Sequence, residues 1–217
     1  MIAAGNVVRS TVLSSAMDLP FNVALAGGVV AIASAAGLGT EELGLARRHF
    51  ASGARWGGAA FASVTAVVVG AAAVPATSGL FDDDRADIGI GELVVDVVLR
   101  IPVGTVLVEE VVFRGAILGL LCRLTSVRRA VLGSSLMFGV WHALPAWTSK
   151  DDNSNVAVVA DSAHGGVLVV VGTVLATTVA GVVFCWLRRR SGSLLAPILA
   201  HLATNIVPLV AAWTLAR

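Results

Sequence analysis

The stretch "IPVGTVLVEEVVFRGAILGLL", residues 101–121, decides the fold, because it is long and apolar yet carries the charges of Glu109, Glu110 and Arg114. About 20 apolar residues in a helix cross the roughly 30 Å of hydrocarbon in a bilayer. An ionisable side chain at that depth costs at least about 2.5 kcal/mol and has to face protein or water. The stretch therefore indicates a membrane helix whose charged face lies inside a bundle.

The rest of the chain has the same apolar character. Of its 217 residues, 57% are hydrophobic and 13% are charged, which is outside the balance of soluble domains. The apolar runs are continuous and do not alternate, which favours helices over barrel strands. We expect an all-α, polytopic transmembrane helical bundle that forms one integral membrane domain over residues 1–217. The six predicted apolar segments are 20–38, 57–76, 93–121, 130–147, 163–187 and 193–215.

The loops between the segments differ in the sign of their charge. "RRHFASGAR", "CRLTSVRR" and "RRR" hold nine of the fifteen Lys and Arg residues, whereas "FDDDRAD" and "SKDDN" are acidic. By the positive-inside rule the basic loops face the cytoplasm, so both termini lie outside. We expect a multi-pass protein of a prokaryotic cell membrane, with a short interfacial helix within residues 1–18. The net charge of +1 gives no indication of a nucleic-acid partner.

Three polar side chains are predicted to meet in one layer of the membrane. At 1.5 Å per helical residue, Glu109, His142 and His201 lie about 21, 20 and 17 Å from the nearest basic cluster. They would surround a polar intramembrane cavity. Glu109 beside His142 can hold and deprotonate a water molecule, and His201 with Asn205, four residues later on the same face, can present donors to an oxyanion. This combination describes water-activated attack on an amide bond.

The remaining polar groups have structural explanations as well as functional ones. Glu110 and Arg114 are four residues apart and are predicted to pair, which leaves Glu109 free on another part of the helix surface. A helix-packing ion pair explains these two residues as well as a chemical role does. The same spacing predicts a structural pair of Asp96 and Arg100. The remaining candidate is Phe138, one turn before His142. We expect the Phe138 ring to pack against neighbouring helices and to line the site.

Three short patterns occur in order on separate apolar segments. "EEVVFR" (109–114) fits E-E-x-x-x-R, "FGVWH" (138–142) fits F-x-x-x-H and "HLATN" (201–205) fits H-x-x-x-N. In these patterns the chain resembles the CPBP, or Abi, family of intramembrane proteases. That family includes the CAAX prenyl endopeptidases and the bacteriocin-processing or self-immunity proteins. The resemblance covers about residues 90–210, which we expect to be the catalytic core.

The resemblance implies an intramembrane endopeptidase, CAAX-protease-like, that acts on a protein or peptide substrate at the lipid bilayer. By position in the motifs, Glu109 and His142 activate the water, and His201 and Asn205 steady the tetrahedral oxyanion. The residues that it assigns to shaping the site are Glu110 and Arg114.

Two alternatives stay open at this point. No metal or other cofactor is expected, because the chain has no H-E-x-x-H motif; zinc is the alternative, with Glu109, His142 and His201 as its ligands. A non-catalytic membrane protein is the alternative function. A bacteriocin self-immunity factor or a small-solute carrier would use the same polar cavity for binding.

Overall fold

A computed structural model of the protein describes residues 15–148, 161–162 and 164–217. Every long element in these ranges is a helix, and no β-strand element occurs in them. Much of the interfacial helix predicted for residues 1–18, and the acidic "SKDDN" loop at 149–153, lie outside the described residues. The predicted all-α membrane bundle is confirmed.

Six long helices in the described ranges overlap the six predicted apolar segments. They are α1 (Ser15–Ala35), α2 (Phe50–Ala73), α3 (residues 90–124), α4 (Val127–Trp141), α5 (Gly165–Ser191) and α6 (Leu195–Leu215). Short helical turns in the described connections span Thr40–Leu43, Arg47–His49, Pro75–Ser78, Gly79–Phe81, Asp84–Ala86 and Ala143–Thr148.

Within the described part of the chain, three stretches are long and apolar enough to cross a bilayer by length and composition. They are Thr40–Ala73, which contains α2, and the helices α5 and α6. The shorter Leu19–Ala35 in α1 is also apolar. That all six helices cross the membrane stays a prediction.

Helix α3 is wound more widely than an α-helix over much of its length. It is π-helical at Asp96–Leu107 and again at Val111–Ile117, with the single α-turn Val108–Glu110 between the two. Pro102, in the first π-helical stretch, has no backbone N–H to donate to the preceding turn. Single-turn π-helical insertions are frequent at functional sites. Here two longer π-helical stretches, of twelve and seven residues, flank the paired glutamates.

The predicted apolar segment 130–147 contains two helices, because α4 ends at Trp141. His142 caps α4, its backbone N–H bonds to the Gly139 carbonyl at 3.0 Å, and a second short helix follows at Ala143–Thr148. Pro145 explains the break. Its ring clashes with the carbonyl four residues earlier, at Trp141, and it has no N–H to bond that carbonyl.

Small residues allow the helices to approach closely. Helix α6 packs along α2, α5 packs along α4, and α1 packs along α3. A Cβ atom on Gly57 of α2 would lie 2.9 Å from Leu199 and 3.0 Å from the Cα of Ala196, both on α6. At the α4–α5 contact, a Cβ atom on Gly181 would lie 3.0 Å from the Cα of Ser135. Close packing of this kind is what holds membrane helices together in the absence of water.

Arginines at the basic ends of two helices hold the connection between α1 and α2. Arg188 of α5 donates from Nη2 to the carbonyls of Glu41 and Glu42 at 2.8 and 2.9 Å. Arg123 of α3 forms an ion pair with Glu42 and donates to the Gly37 carbonyl at 2.8 Å. These two arginines therefore stabilise the fold, and they also belong to the basic clusters from which the orientation in the membrane was predicted.

The two adjacent glycines of α2 provide a test of this packing. We expect Gly57→Ala to lower the free energy of unfolding by about 1–3 kcal/mol, because the added methyl group meets the backbone of α6. Gly58→Ala is the matched control, since nothing lies within 4 Å of a Cβ atom there. The control should be neutral or slightly stabilising, because alanine favours a helix over glycine by about 0.5–1 kcal/mol. Unfolding in detergent measures both variants, and equal effects would contradict the proposed contact.

Candidate active site

The α-turn between the two π-helical stretches of α3 brings both glutamates into the protein interior. Glu109 is 6% exposed and Glu110 is fully buried. Arg114, one turn later, is also fully buried. Charged groups at this burial need partners within the protein, so their contacts define the site.

Glu110 is held by a cation on its own helix and by a histidine on α6. Its Oε1 accepts a hydrogen bond from Arg114 Nη1 at 3.0 Å, as predicted from the spacing, and lies 2.8 Å from His201 Nδ1. The contact with His201 was not predicted. Because Glu110 bridges α3 and α6, it fixes the direction in which the other ring nitrogen of His201 points. The other predicted pair, Asp96 and Arg100, is present at 2.8 Å.

Glu109 faces both histidines that the sequence placed at its depth. Its Oε2 lies 3.9 Å from His142 Nε2 and 3.8 Å from His201 Nε2. Its Oε1 accepts a hydrogen bond from the indole Nε1 of Trp141 at 2.9 Å. Three helices, α3, α4 and α6, therefore meet around one carboxylate.

The outer contacts of the two imidazoles indicate where their protons lie. His142 Nδ1 is 2.8 Å from the Phe138 carbonyl, which can only accept, so Nδ1 carries a hydrogen. His201 Nδ1 faces the Glu110 carboxylate, which is paired with Arg114 and also accepts. In their neutral forms both histidines thus present an unprotonated Nε2 to Glu109.

When both imidazoles are neutral, two further acceptor atoms therefore lie within 3.9 Å of Glu109 Oε2. Glu109 Oε2 is buried and has no hydrogen-bond partner among the described residues. An unpaired buried carboxylate oxygen carries a large desolvation cost. The distance from Oε2 to either Nε2 atom is short enough for one water molecule to donate a hydrogen bond to Oε2 and another to that Nε2 atom.

Aromatic rings surround this polar cluster. Phe138, which was predicted to pack and to wall the site, lies edge-on to His142 and His201 at 4.6 and 5.8 Å between ring centroids. The Arg114 guanidinium lies 3.9 Å from the centre of the Phe138 ring, a cation–π contact. Phe184 of α5 stacks on His201 at 5.1 Å. Phe184 was not predicted as a site residue, because α5 carries none of the three motifs.

The side chain of Asn205 bonds to the backbone of its own helix. Its Nδ2 donates to the backbone carbonyl of His201 at 3.0 Å. Its side chain also lines a cavity of about 410 Å³ together with Asp96 of α3 and Pro208 of α6. The Asn205 amide has a second N–H besides the one in this bond. The oxyanion role predicted for Asn205 stays a prediction.

The alternative zinc set can be compared with this geometry. In the described part of the chain, no group of three or more His, Cys, Asp or Glu side chains is arranged to hold a metal ion. Zinc bonds of about 2.0–2.1 Å in a tetrahedron place ligand atoms about 3.3–3.4 Å apart. The distances from Glu109 Oε2 to the two Nε2 atoms, 3.9 and 3.8 Å, are wider. The prediction of a reaction without metal is left to experiment.

Residues 91–207 match the family described as type II CAAX prenyl endopeptidase Rce1-like. The matched range is more than half of the 217 residues and contains all the candidate residues from Glu109 to Asn205. The chain belongs to this family. The resemblance drawn from the three motifs is thereby confirmed, and membership makes the protein a membrane peptidase of the CAAX protease type. No curated protein and no solved structure matches the chain.

The buried ion pair is open to a direct test of stability. Arg114→Leu should lower the free energy of unfolding by about 3–5 kcal/mol, because Glu110 is left buried without its cation. The double variant Arg114→Leu with Glu110→Gln should recover part of that loss. Unfolding in detergent measures both changes.

The exposed pair on the same helix supplies the control. Arg100 pairs with Asp96, which lies four residues before it, but the Arg100 side chain is 54% exposed. Arg100→Leu should therefore change stability far less than Arg114→Leu does. Similar losses of stability for the two variants would contradict the conclusion that the buried Glu110–Arg114 pair is more costly to break than the exposed one.

Proposed function

We propose that the protein is an intramembrane endopeptidase that hydrolyses a peptide bond with a water molecule activated by Glu109 and His142. The observation that carries the proposal is the buried, unpartnered Oε2 of Glu109, which faces the Nε2 atoms of two histidines. Family membership supports the reaction class. The burial of the cluster supports a site in which hydrogen bonds and charges act strongly.

The first step is attack by water on the scissile carbonyl. The water donates one hydrogen to Glu109 Oε2 and the other to His142 Nε2, which orients a lone pair of its oxygen toward the substrate. As the new C–O bond forms, Glu109 accepts the proton and the carbonyl oxygen becomes an oxyanion. Glu109 then returns the proton to the amine nitrogen as the C–N bond breaks.

The second requirement is stabilisation of the oxyanion by His201 and Asn205. Because Nδ1 of His201 is committed to Glu110, the Nε2 atom can donate only when the ring is an imidazolium. Asn205 supplies a second donor through the N–H of its amide that the His201 carbonyl does not use.

The substrate is a protein or peptide that reaches the site from the bilayer or its surface. The family description makes a prenylated C-terminal peptide the first substrate to try. For the location, we propose a prokaryotic cell membrane with the arginine-rich helix ends in the cytoplasm and both termini outside.

Glu109→Gln tests the proposed reaction. The amide keeps the size of the side chain but cannot accept the proton, so cleavage should fall by about 10²–10⁴-fold. Purified protein in detergent is assayed against internally quenched peptides, one of them farnesylated at a C-terminal CAAX sequence. Glu92→Gln is the control, because this exposed glutamate lies in the first turn of the same helix. The control variant should keep wild-type activity.

The outcome of this comparison separates a protease from a binding protein. If the Glu109→Gln variant still cleaves at the wild-type rate, at an unchanged protein level, Glu109 is not the general base. If the quenched peptides are not cut, new C-termini in the membrane proteome of cells with the wild-type protein, absent with Glu109→Gln, still identify a protease. Absence of both would favour a non-catalytic protein.

Removal of metal ions tests the choice between glutamate and zinc chemistry. We expect full activity after dialysis against a chelator, and no stoichiometric zinc by elemental analysis of the purified protein. Activity that is lost on chelation and restored by zinc would contradict the mechanism given above and would assign Glu109, His142 and His201 as ligands.

A further inference from the structure

We propose that Trp141 is a positioning residue of the reaction, because its indole N–H holds one oxygen of Glu109 and so reserves the other oxygen for the water. This inference rests on the proposed function. It adds a residue that lies inside the second motif but is not one of its defining positions.

The contact joins two helices at the level of the site. Trp141 is the last residue of α4 and directly precedes His142. Its Nε1 lies 2.9 Å from Glu109 Oε1 on α3. The helix that supplies the histidine therefore also sets the orientation of the carboxylate. A shift of α4 would move both groups together.

The indole itself is held in place by aromatic packing. The Trp141 ring lies edge-on to Phe113 of α3, with centroids 6.0 Å apart. Phe113 is 1% exposed and packs in turn against Phe138 at 5.2 Å. An indole N–H donates and cannot accept, so its partner has to be an acceptor. The fixed ring thus offers a hydrogen to one oxygen of Glu109.

This single hydrogen bond makes the two carboxylate oxygens different. Oε1 is bonded to Trp141, while Oε2 has no partner and faces the two histidines. The terminal torsion of a glutamate is broad, so without the indole the carboxylate plane could turn. It would then present either oxygen, at a range of angles, to the water. Trp141 restricts the carboxylate to the productive orientation.

Trp141→Phe removes the donor and keeps an aromatic ring. Trp213→Phe is the matched control, because Trp213 also donates one indole hydrogen bond, to the Ile88 carbonyl at 3.0 Å. The probe is the quenched peptide that the wild-type protein cleaves. We expect kcat of the Trp141 variant to fall by about ten- to hundredfold with KM little changed, because the reacting groups are misaligned while the peptide still binds. The Trp213 variant should keep the wild-type kcat.

A second measurement detects the contact without any cleavage. Each of the five tryptophans gives an indole ¹H–¹⁵N signal in a labelled protein in detergent, and the two Phe variants assign Trp141 and Trp213. Glu109→Gln replaces an anionic acceptor by a neutral one, so the Trp141 proton signal should move upfield. The Trp213 signal should stay in place.

The outcomes separate failure of the inference from failure of the proposed function. A Trp141→Phe protein that is folded and keeps the wild-type kcat, or a Trp141 signal that does not respond to Glu109→Gln, overturns the positioning role while leaving the protease. Where Trp141→Phe does not fold, the Trp141 signal is assigned by elimination from Phe variants of the other four tryptophans, and its response to Glu109→Gln decides. A wild-type protein that cleaves neither peptide nor membrane protein overturns the proposed function and this inference with it.

Discussion

The buried carboxylate of Glu110 is the constraint on which the rest of the site depends. It has no exposure to solvent, so the protein has to compensate its charge, and it does so with the Arg114 cation from α3 and the hydrogen bond to His201 from α6. The contact with His201 draws α6 against α3 and commits Nδ1 of that ring. The opposite nitrogen is then aimed at Glu109. Two adjacent glutamates therefore have separate tasks: Glu110 organises the cluster, and the Oε2 of Glu109 remains available.

The apolar surroundings make this arrangement possible. Glycines at 57 and 181 let α6 and α5 come close to their neighbours, so that side chains from four helices reach the same layer. Phe138 lies against the Arg114 guanidinium, and Phe184 covers the face of His201. These rings shield the charges from lipid while the cation–π contact compensates part of the lost solvation. In such an environment a single hydrogen bond or charge has more effect than it would in water.

Much of the candidate site was predictable because it follows from spacing along single helices. A separation of four residues predicted the Glu110–Arg114 pair, and distances from the basic ends predicted that Glu109, His142 and His201 share one depth. The helix break at His142 was also predictable, because Pro145 follows it three residues later in the sequence. The π-helical winding of α3, the stacking of Phe184 and the backbone bond of Asn205 were not predictable. Each depends on a neighbouring element or on small departures from regular helix geometry.

The sequence by itself determined the class of the protein, its helices and the set of polar residues that had to be explained. Apolar runs of this length have few stable structures other than membrane helices, and a charge within them has to face inward. Only the tertiary structure decided which atom faces which: Oε1 of Glu109 toward Trp141, Oε2 toward the histidines, and Nδ1 of His201 toward Glu110. Those choices depend on the rotation of each helix about its axis and on the packing of rings from helices distant in the chain. Periodicity along one helix contains neither quantity.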